Sequence, residues 1–282
     1  DVKRFLHVVS VPLTLGFDVV IDVLPLKCIG LASFTSELAF WVVVPFVLVG
    51  LALATSAVLQ LAAHLPEGQV FNRYVVLHVC RSVTPSQVLL AATPAILQLL
   101  FLVYPMVTRK AFQAFSCYDL DGQAWLRVDV SIACYTKAHE RATSMAVCAI
   151  ILYPIGFFVL AAVLLFSSRR AIVNGKPTKL STAAHFLHGE YKTGSFLWEL
   201  AEMLRRSFLV GVLVVVQQGS IAQLAIGTLF AWIYLVVQMA VRPFRVFADD
   251  VLAMSCSLSL ALIFQSSIFY KYQGLMSLYK LQ

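Results

Sequence analysis

Apolar residues along the chain come in long, nearly unbroken runs separated by short polar connections. A helix crossing a bilayer needs about 20 predominantly apolar residues, and six runs meet that length: Ala39 to Ala63, Thr84 to Val107, Ala142 to Phe166, Phe196 to Val216, Ile221 to Val241 and Val251 to Tyr270. A seventh, weaker run from Phe5 to Leu24 carries Asp18 and Asp22. Their four-residue spacing places both carboxylates on one helical face that can turn away from lipid, so this run is expected to span against the bundle. The runs are continuous, whereas the strands of a membrane barrel alternate in polarity over about ten residues, so the pattern predicts helices. Pro45, Pro94, Pro105 and Pro154 lie in or near these runs and are expected to act as ordinary packing kinks.

The longest polar connections, Thr108 to Arg141 and Ser167 to Ser195, are too short for an independent core of any size. No fixed-period repeat or low-complexity segment appears. The expectation is therefore an all-α polytopic transmembrane helical bundle of six or seven spans, forming a single transmembrane domain over residues 1–282. Asp1 is not an initiator Met and no signal-peptide pattern follows it, as expected of a processed chain or part of a longer one.

Composition agrees with this pattern: 60% of the 282 residues are hydrophobic and 12% are charged. A surface facing only water could hardly accommodate that ratio. The net charge of +7 is spread beside and between the apolar runs, without a basic block interleaved with aromatics, so it reads as membrane topology and not as nucleic-acid binding. With seven spans, the face bearing Lys3, Arg4, Arg73, Arg81, Arg169, Arg170, Lys176, Lys179, Lys192, Arg242 and Arg245 holds, by a small margin, the larger share of basic residues. The positive-inside rule puts that face in the cytoplasm. Cys117 and Cys134 then fall in one exterior connection, where a disulfide suits an oxidising compartment. Cys28 lies on the same side, leaving another pairing open. Which membrane holds the chain, the plasma membrane or an endomembrane, is not legible.

Candidate chemistry is sparse. The histidines, including His185 and His188 three residues apart, have no flanking thiolates or helical zinc-protease spacing, and no phosphate loop or nucleophile elbow is present. No enzyme, cofactor or metal centre is expected. The most informative cluster, Trp198-Glu199-Leu200-Ala201-Glu202-Met203-Leu204-Arg205-Arg206, opens a span. Glu199, Glu202 and Arg206 share one helical face, and Glu202 reaches Arg205 and Arg206 at three and four residues. One charge at the bilayer centre costs roughly 2.5–3.5 kcal/mol, so four charges at a helix entrance demand partners, with Asp18 and Asp22 as candidates. Such a network either fixes helix depth or serves permeation or gating. A second cluster, Arg242-Pro243-Phe244-Arg245 with Asp249 and Asp250, forms the short link before the last run. The two acids suit a helix N-terminus, and the alternative is the rim of a cation path.

Several of these residues occur within a longer pattern. Phe101-Leu102-Val103-Tyr104-Pro105, Phe115-Ser116-Cys117-Tyr118-Asp119-Leu120-Asp121-Gly122, Ser131-Ile132-Ala133-Cys134, Leu152-Tyr153-Pro154-Ile155-Gly156, Trp198-Glu199-Leu200, Arg205-Arg206, Gly211 and Arg242-Pro243-Phe244 follow in order. This pattern, over roughly Phe101 to Tyr270, resembles the transient-receptor-potential-like family, of the polycystin and flavin-carrier type, as found in membrane tails of large protist proteins. The resemblance implies a multi-helix domain related to cation channels, with roles in calcium entry or mechanosensation, while other relatives are described as flavin carriers. It departs from the usual channel plan in one respect. Only Arg242 to Asp250 joins the last two runs, and nine residues cannot readily supply both a pore helix and a filter. The expected activity is cation conduction; the alternatives are a carrier for a lipid or small organic molecule and a non-conducting anchor or subunit. Expected partners are membrane lipids, inorganic cations, and further copies of the chain or other members of an assembly.

Overall fold

The structure, a computed structural model, describes residues 33–63, 84–120, 122–215 and 220–279. The weak run from Phe5 to Leu24, with Asp18 and Asp22, lies outside the described residues, as do Cys28 and Cys80. Helices dominate: α1 (Phe34–Ala63), α2 (Pro85–Gln113), α3 (Lys137–Ile150), α4 (Gly156–Val173), the short α5 (Lys179–Ala183) and α6 (His185–His188), then α7 (Trp198–Ser207), α8 (Leu213–Val215), α9 (Ile221–Val241) and α10 (Phe247–Tyr279). Among the described residues, five helical segments are long and apolar enough to cross a membrane: Phe34–Ala62, Pro85–Gln113, Lys137–Val173, Ile221–Val241 and Phe247–Gly274. The chain is thus a membrane-embedded helical protein. Most helices outrun the apolar runs that announced them, because hydropathy marks only the lipid-facing length and the polar ends remain helical.

Internal contacts divide the chain into two compact units. In the first (residues 1–111 and 140–186), α1 and α2 run antiparallel. Lys110 and Glu37 pair at 2.5 Å near one end, and the Gln60 amide donates to the Gln87 carbonyl at 2.9 Å near the other. The Tyr153 hydroxyl donates to the Val42 carbonyl at 2.5 Å, and Tyr104 packs on Phe157 with ring centroids 5.4 Å apart. Between α3 and α4, Ile151–Ile155 makes a π-helical turn in which the Gly156 N–H donates to the Ile151 carbonyl. Pro154, lacking an N–H, sits inside that turn, a known cause of such widening.

The second unit (residues 112–139 and 187–282) contains a disulfide-stapled platform and the remaining helices. Strands β1 (Cys117–Leu120) and β2 (Gln123–Leu126) form an antiparallel hairpin, turning at Gly122 with φ +79°. This hairpin departs from the all-helical expectation. Backbone bonds from Leu126 to Ile132 (2.9 Å) and from Cys134 to Ala124 (2.8 Å) lay a returning segment against β2. A Cys117–Cys134 disulfide closes the platform over a separation of 17 residues, a loop whose closure is worth about 3 kcal/mol on chain-entropy arithmetic. Leu126, Ile132 and Cys134 form its small buried centre.

After α7 the helix passes through a second π-helical turn, Phe208–Val212, into α8. Residues 198–215 therefore form one continuous helical segment, and it packs antiparallel along α9. The Gln223 amide donates to the Leu213 carbonyl at 2.6 Å, Phe208 stacks on Phe230 at 4.2 Å, and Arg205 lies over the Tyr234 ring at 4.6 Å. Helices α9 and α10 form a hairpin fastened by Ser257 donating to Gln238 at 2.6 Å, both buried, and by Trp232 donating to Gln265 at 3.2 Å. Arg242 caps α9 in the left-handed conformation at φ +44°.

Gly211 is required by packing, because a Cβ there would overlap the Phe112 ring. Gly211→Ala is expected to lower stability by about 1–3 kcal/mol, the usual range for overpacking, and adding Phe112→Leu to restore much of the loss. Thermal unfolding of the three proteins in nanodiscs measures both effects.

Candidate functional site

The charged entrance of helix 198–215 is where the sequence concentrates its cost, and the structure gathers partners around it. Trp198, Glu199, Glu202 and Met203 turn to the buried side of α7, with Glu199 only 4% and Glu202 only 5% exposed. Both oxygens of Glu202 are engaged. Oε2 accepts from Arg205 Nη2 at 2.7 Å and from Nε at 3.2 Å, and Oε1 accepts a short hydrogen bond from the Tyr234 hydroxyl of α9. Arg205 also lies over the Tyr234 ring, so one tyrosine holds the acid by its hydroxyl and the base by its π-face. Trp198 packs against the same ring at 6.0 Å.

Glu199 Oε2 accepts from the Tyr191 hydroxyl at 2.7 Å, within the buried cluster of Tyr191, Trp198 and Phe244. Burial first, then the nearby charges of Glu199 and Glu202, pushes the Tyr191 phenol well above its ordinary value, while Arg206 opposes them. Tyr191 is therefore a neutral donor throughout the physiological range. Of the four charges named from sequence at this entrance, Glu202 and Arg205 meet directly, while Glu199 turns to Tyr191.

Asp250 belongs to an adjoining clasp. Residues 190–192 pair in antiparallel fashion with residues 243–245 through a Tyr191–Phe244 bridge: the Lys192 N–H donates to the Pro243 carbonyl at 2.8 Å and the Arg245 N–H to the Glu190 carbonyl at 2.9 Å. Arg245 Nε adds a bond to the Tyr191 carbonyl at 2.7 Å, and Lys192 Nζ donates a short one to the Arg242 carbonyl. Asp250, 3% exposed, locks this pairing, accepting from the Phe244 N–H at 3.1 Å and facing Lys192 Nζ at 3.6 Å. Asp249 and Asp250 do stand in the first turn of α10. Asp250 nevertheless serves the link more than the helix end, because its oxygens reach back across the turn. Tyr191 and Tyr234 were not singled out from sequence, and Lys192 entered only the count of basic residues. One tyrosine in a connection and another inside an apolar run carry no spacing that marks them.

Beside the network, the space lined by Arg205, Leu209, Phe230, Ala231, Tyr234 and Ser257 is too narrow to admit a water molecule. At the platform, the side-chain ligand atoms of Cys117, Cys134 and His139 lie within 4.8 Å of one another. The sulfurs are bonded to each other, and the imidazole is engaged at both nitrogens, Nε2 with the Ala114 carbonyl at 3.0 Å and Nδ1 with the Tyr135 N–H at 3.3 Å. This grouping is a disulfide with a fixed imidazole beside it.

No family model matches the chain, and neither does any curated protein or solved structure.

Removing one partner of a buried ion pair strands the other charge, at a cost of about 3–5 kcal/mol. Arg205→Met should therefore destabilise the protein by about that much, and combining it with Glu202→Gln should recover the larger part. A double-mutant cycle on thermal unfolding, with Tyr234→Phe as a third corner, reads the coupling directly.

Proposed function

We propose that the chain is the membrane domain of a cation channel resembling the transient-receptor-potential-like family, with six or seven spans and a conduction path formed between copies. The observation that carries this reading is the antiparallel packing of helix 198–215 on α9 between Gln223 and Tyr234, with a buried charge network at one end. The matched stretch runs from Leu213 beside Gln223 to Arg205 beside Tyr234, and in this reading the helix follows α9 across the membrane. We count it as a sixth crossing, as the run from Phe196 to Val216 predicts, although it is not among the five described helices that are long and apolar enough to cross. The clasp supports the same parity, since the residues before this helix pair with those after α9 and the two helices must leave and return on one side.

The charges serve position and coupling in this reading, and cations pass elsewhere. Both oxygens of Glu202 are engaged within the chain, Asp250 is committed to the clasp, and the space between Arg205, Phe230, Tyr234 and Ser257 is too narrow for water. The nine-residue link from Arg242 to Asp250 is consumed by the clasp and the α10 start, leaving no length for a pore helix there. A path lined by whole helices of neighbouring copies answers both constraints. The engagement of Glu202 also favours a second reading, a non-conducting subunit in a larger assembly.

Reconstitution in liposomes separates them. The channel reading expects potassium or calcium flux without lipid scrambling, and a loss of roughly 5–150-fold on Glu202→Gln, the range of a coupling free energy of 1–3 kcal/mol, with folding verified by size exclusion and the intact disulfide. Silence in both assays from correctly folded protein transfers the chain to the second reading, and scrambling without cation flux would identify a lipid carrier.

A further inference from the structure

The stapled platform presents apolar and aromatic side chains outward. Tyr135 is 87% exposed, Val130 62%, Leu120 55% and Val128 42%. An open cleft of about 350 Å³ lies among Tyr118, Leu120, Gln123, Trp125 and Val130. Tyr118 and Trp125 face each other across the hairpin, so two amphipathic rings stand side by side. Tyr135 holds its exposed ring from a left-handed backbone at φ +65°, a conformation unusual for a non-glycine residue and fixed here by its N–H bond to His139.

What covers this face follows from how it is tethered. The platform leaves one membrane-length helix at Gln113 and enters the next at Lys137. Cys117 is four residues past the first helix and Cys134 three before the second, so each attachment spans at most about 14 Å of extended chain. The disulfide ties both attachments together. The helix ends project about 9 Å beyond the apolar runs that stop at Val107 and resume at Ala142, close to the depth of the headgroup layer, about 5–8 Å on each side, so a body so held lies within reach of the lipid surface. Tyrosine and tryptophan prefer that layer, where the ring meets acyl chains and the polar end meets water. Exposed Lys137, at the start of the helix and five residues before its apolar run, suits the phosphates of the same layer.

We infer that the platform is an interfacial anchor, its Leu120, Trp125 and Val130 face seated in the headgroup and upper acyl region of the membrane leaflet nearest it. The occupant of the cleft is then the lipid surface, and the disulfide is what presents the face in one rigid orientation.

The test uses the full chain in lipid nanodiscs, with Cys28, Cys80, Cys148 and Cys256 replaced by Ala, Cys117 and Cys134 kept, and a nitroxide on Leu120→Cys or Val130→Cys. The anchor expects both labels to collide more with oxygen than with a water-soluble nickel chelate. Preference for the nickel chelate overturns it, because the face then meets water. Low access to both reagents with spin–spin broadening also overturns it and assigns the face to a second copy. A label-free reading guards against perturbed folding: in the Trp41→Phe, Trp198→Phe, Trp232→Phe protein, Trp125 fluorescence should fall more with chains brominated near the glycerol than with chains brominated at their ends. No loss with either lipid refutes the anchor.

Discussion

A carboxylate entering a membrane must bring its partners with it, and Glu202 is the residue on which that constraint falls hardest. At 5% exposure it has no access to bulk water, so its charge is tolerable only because Arg205 and Tyr234 meet its two oxygens. Arg205 is local, three residues along the same helix. Tyr234 is remote, and its hydroxyl sets where α9 lies beside α7. From that one register follow the Phe208 stack on Phe230 and the Gln223 bond to Leu213, which carry the pairing to the other end of the helix.

The same requirement reaches the connections. Glu199 draws in Tyr191, and Tyr191 brings with it the short strand that pairs with Pro243 to Arg245. Asp250 closes that pairing from α10, and Ser257 with Gln238 continues the grip along the α9–α10 hairpin. Charge at the helix entrance, the link and the hairpin thus form neighbouring groups of bonds, joined at Trp198, which packs both on Tyr234 and with Tyr191. The 190–192 segment is thereby bonded to α7, to the link after α9 and to α10. This contiguity is the physical basis for assigning the network to coupling in the proposed channel.

Much of the architecture was legible because lipid imposes a simple pattern. The runs around Phe46, Leu97, Phe157, Leu235 and Leu260 all lie in the helices found there, and Ile221 to Val241 matches α9 at both ends. Helix ends beyond the lipid were not legible. Phe34 to Leu38 and Lys137 to Arg141 are polar or mixed and are helical through their own backbone bonds. The cysteine pair emerged from its shared exterior connection, but the hairpin around Gly122 did not, since two four-residue strands leave almost no periodic trace. At the candidate site, α-helical spacing gave Glu199, Glu202, Arg205 and Arg206 a common neighbourhood. It could not give Tyr234, 32 residues from Glu202, whose role exists only once two helices are set side by side.

The account rests most directly on helix 198–215 crossing the membrane despite its charges. Cysteines introduced singly at Thr193 and Ser220, in the protein that keeps only Cys117 and Cys134, place the two ends. Labelling sealed vesicles of one orientation with a membrane-impermeant maleimide should modify Ser220→Cys alone or Thr193→Cys alone, and the other only after permeabilisation. Modification of both from the same side would contradict the crossing, and with it the depth assigned to the Glu202 network.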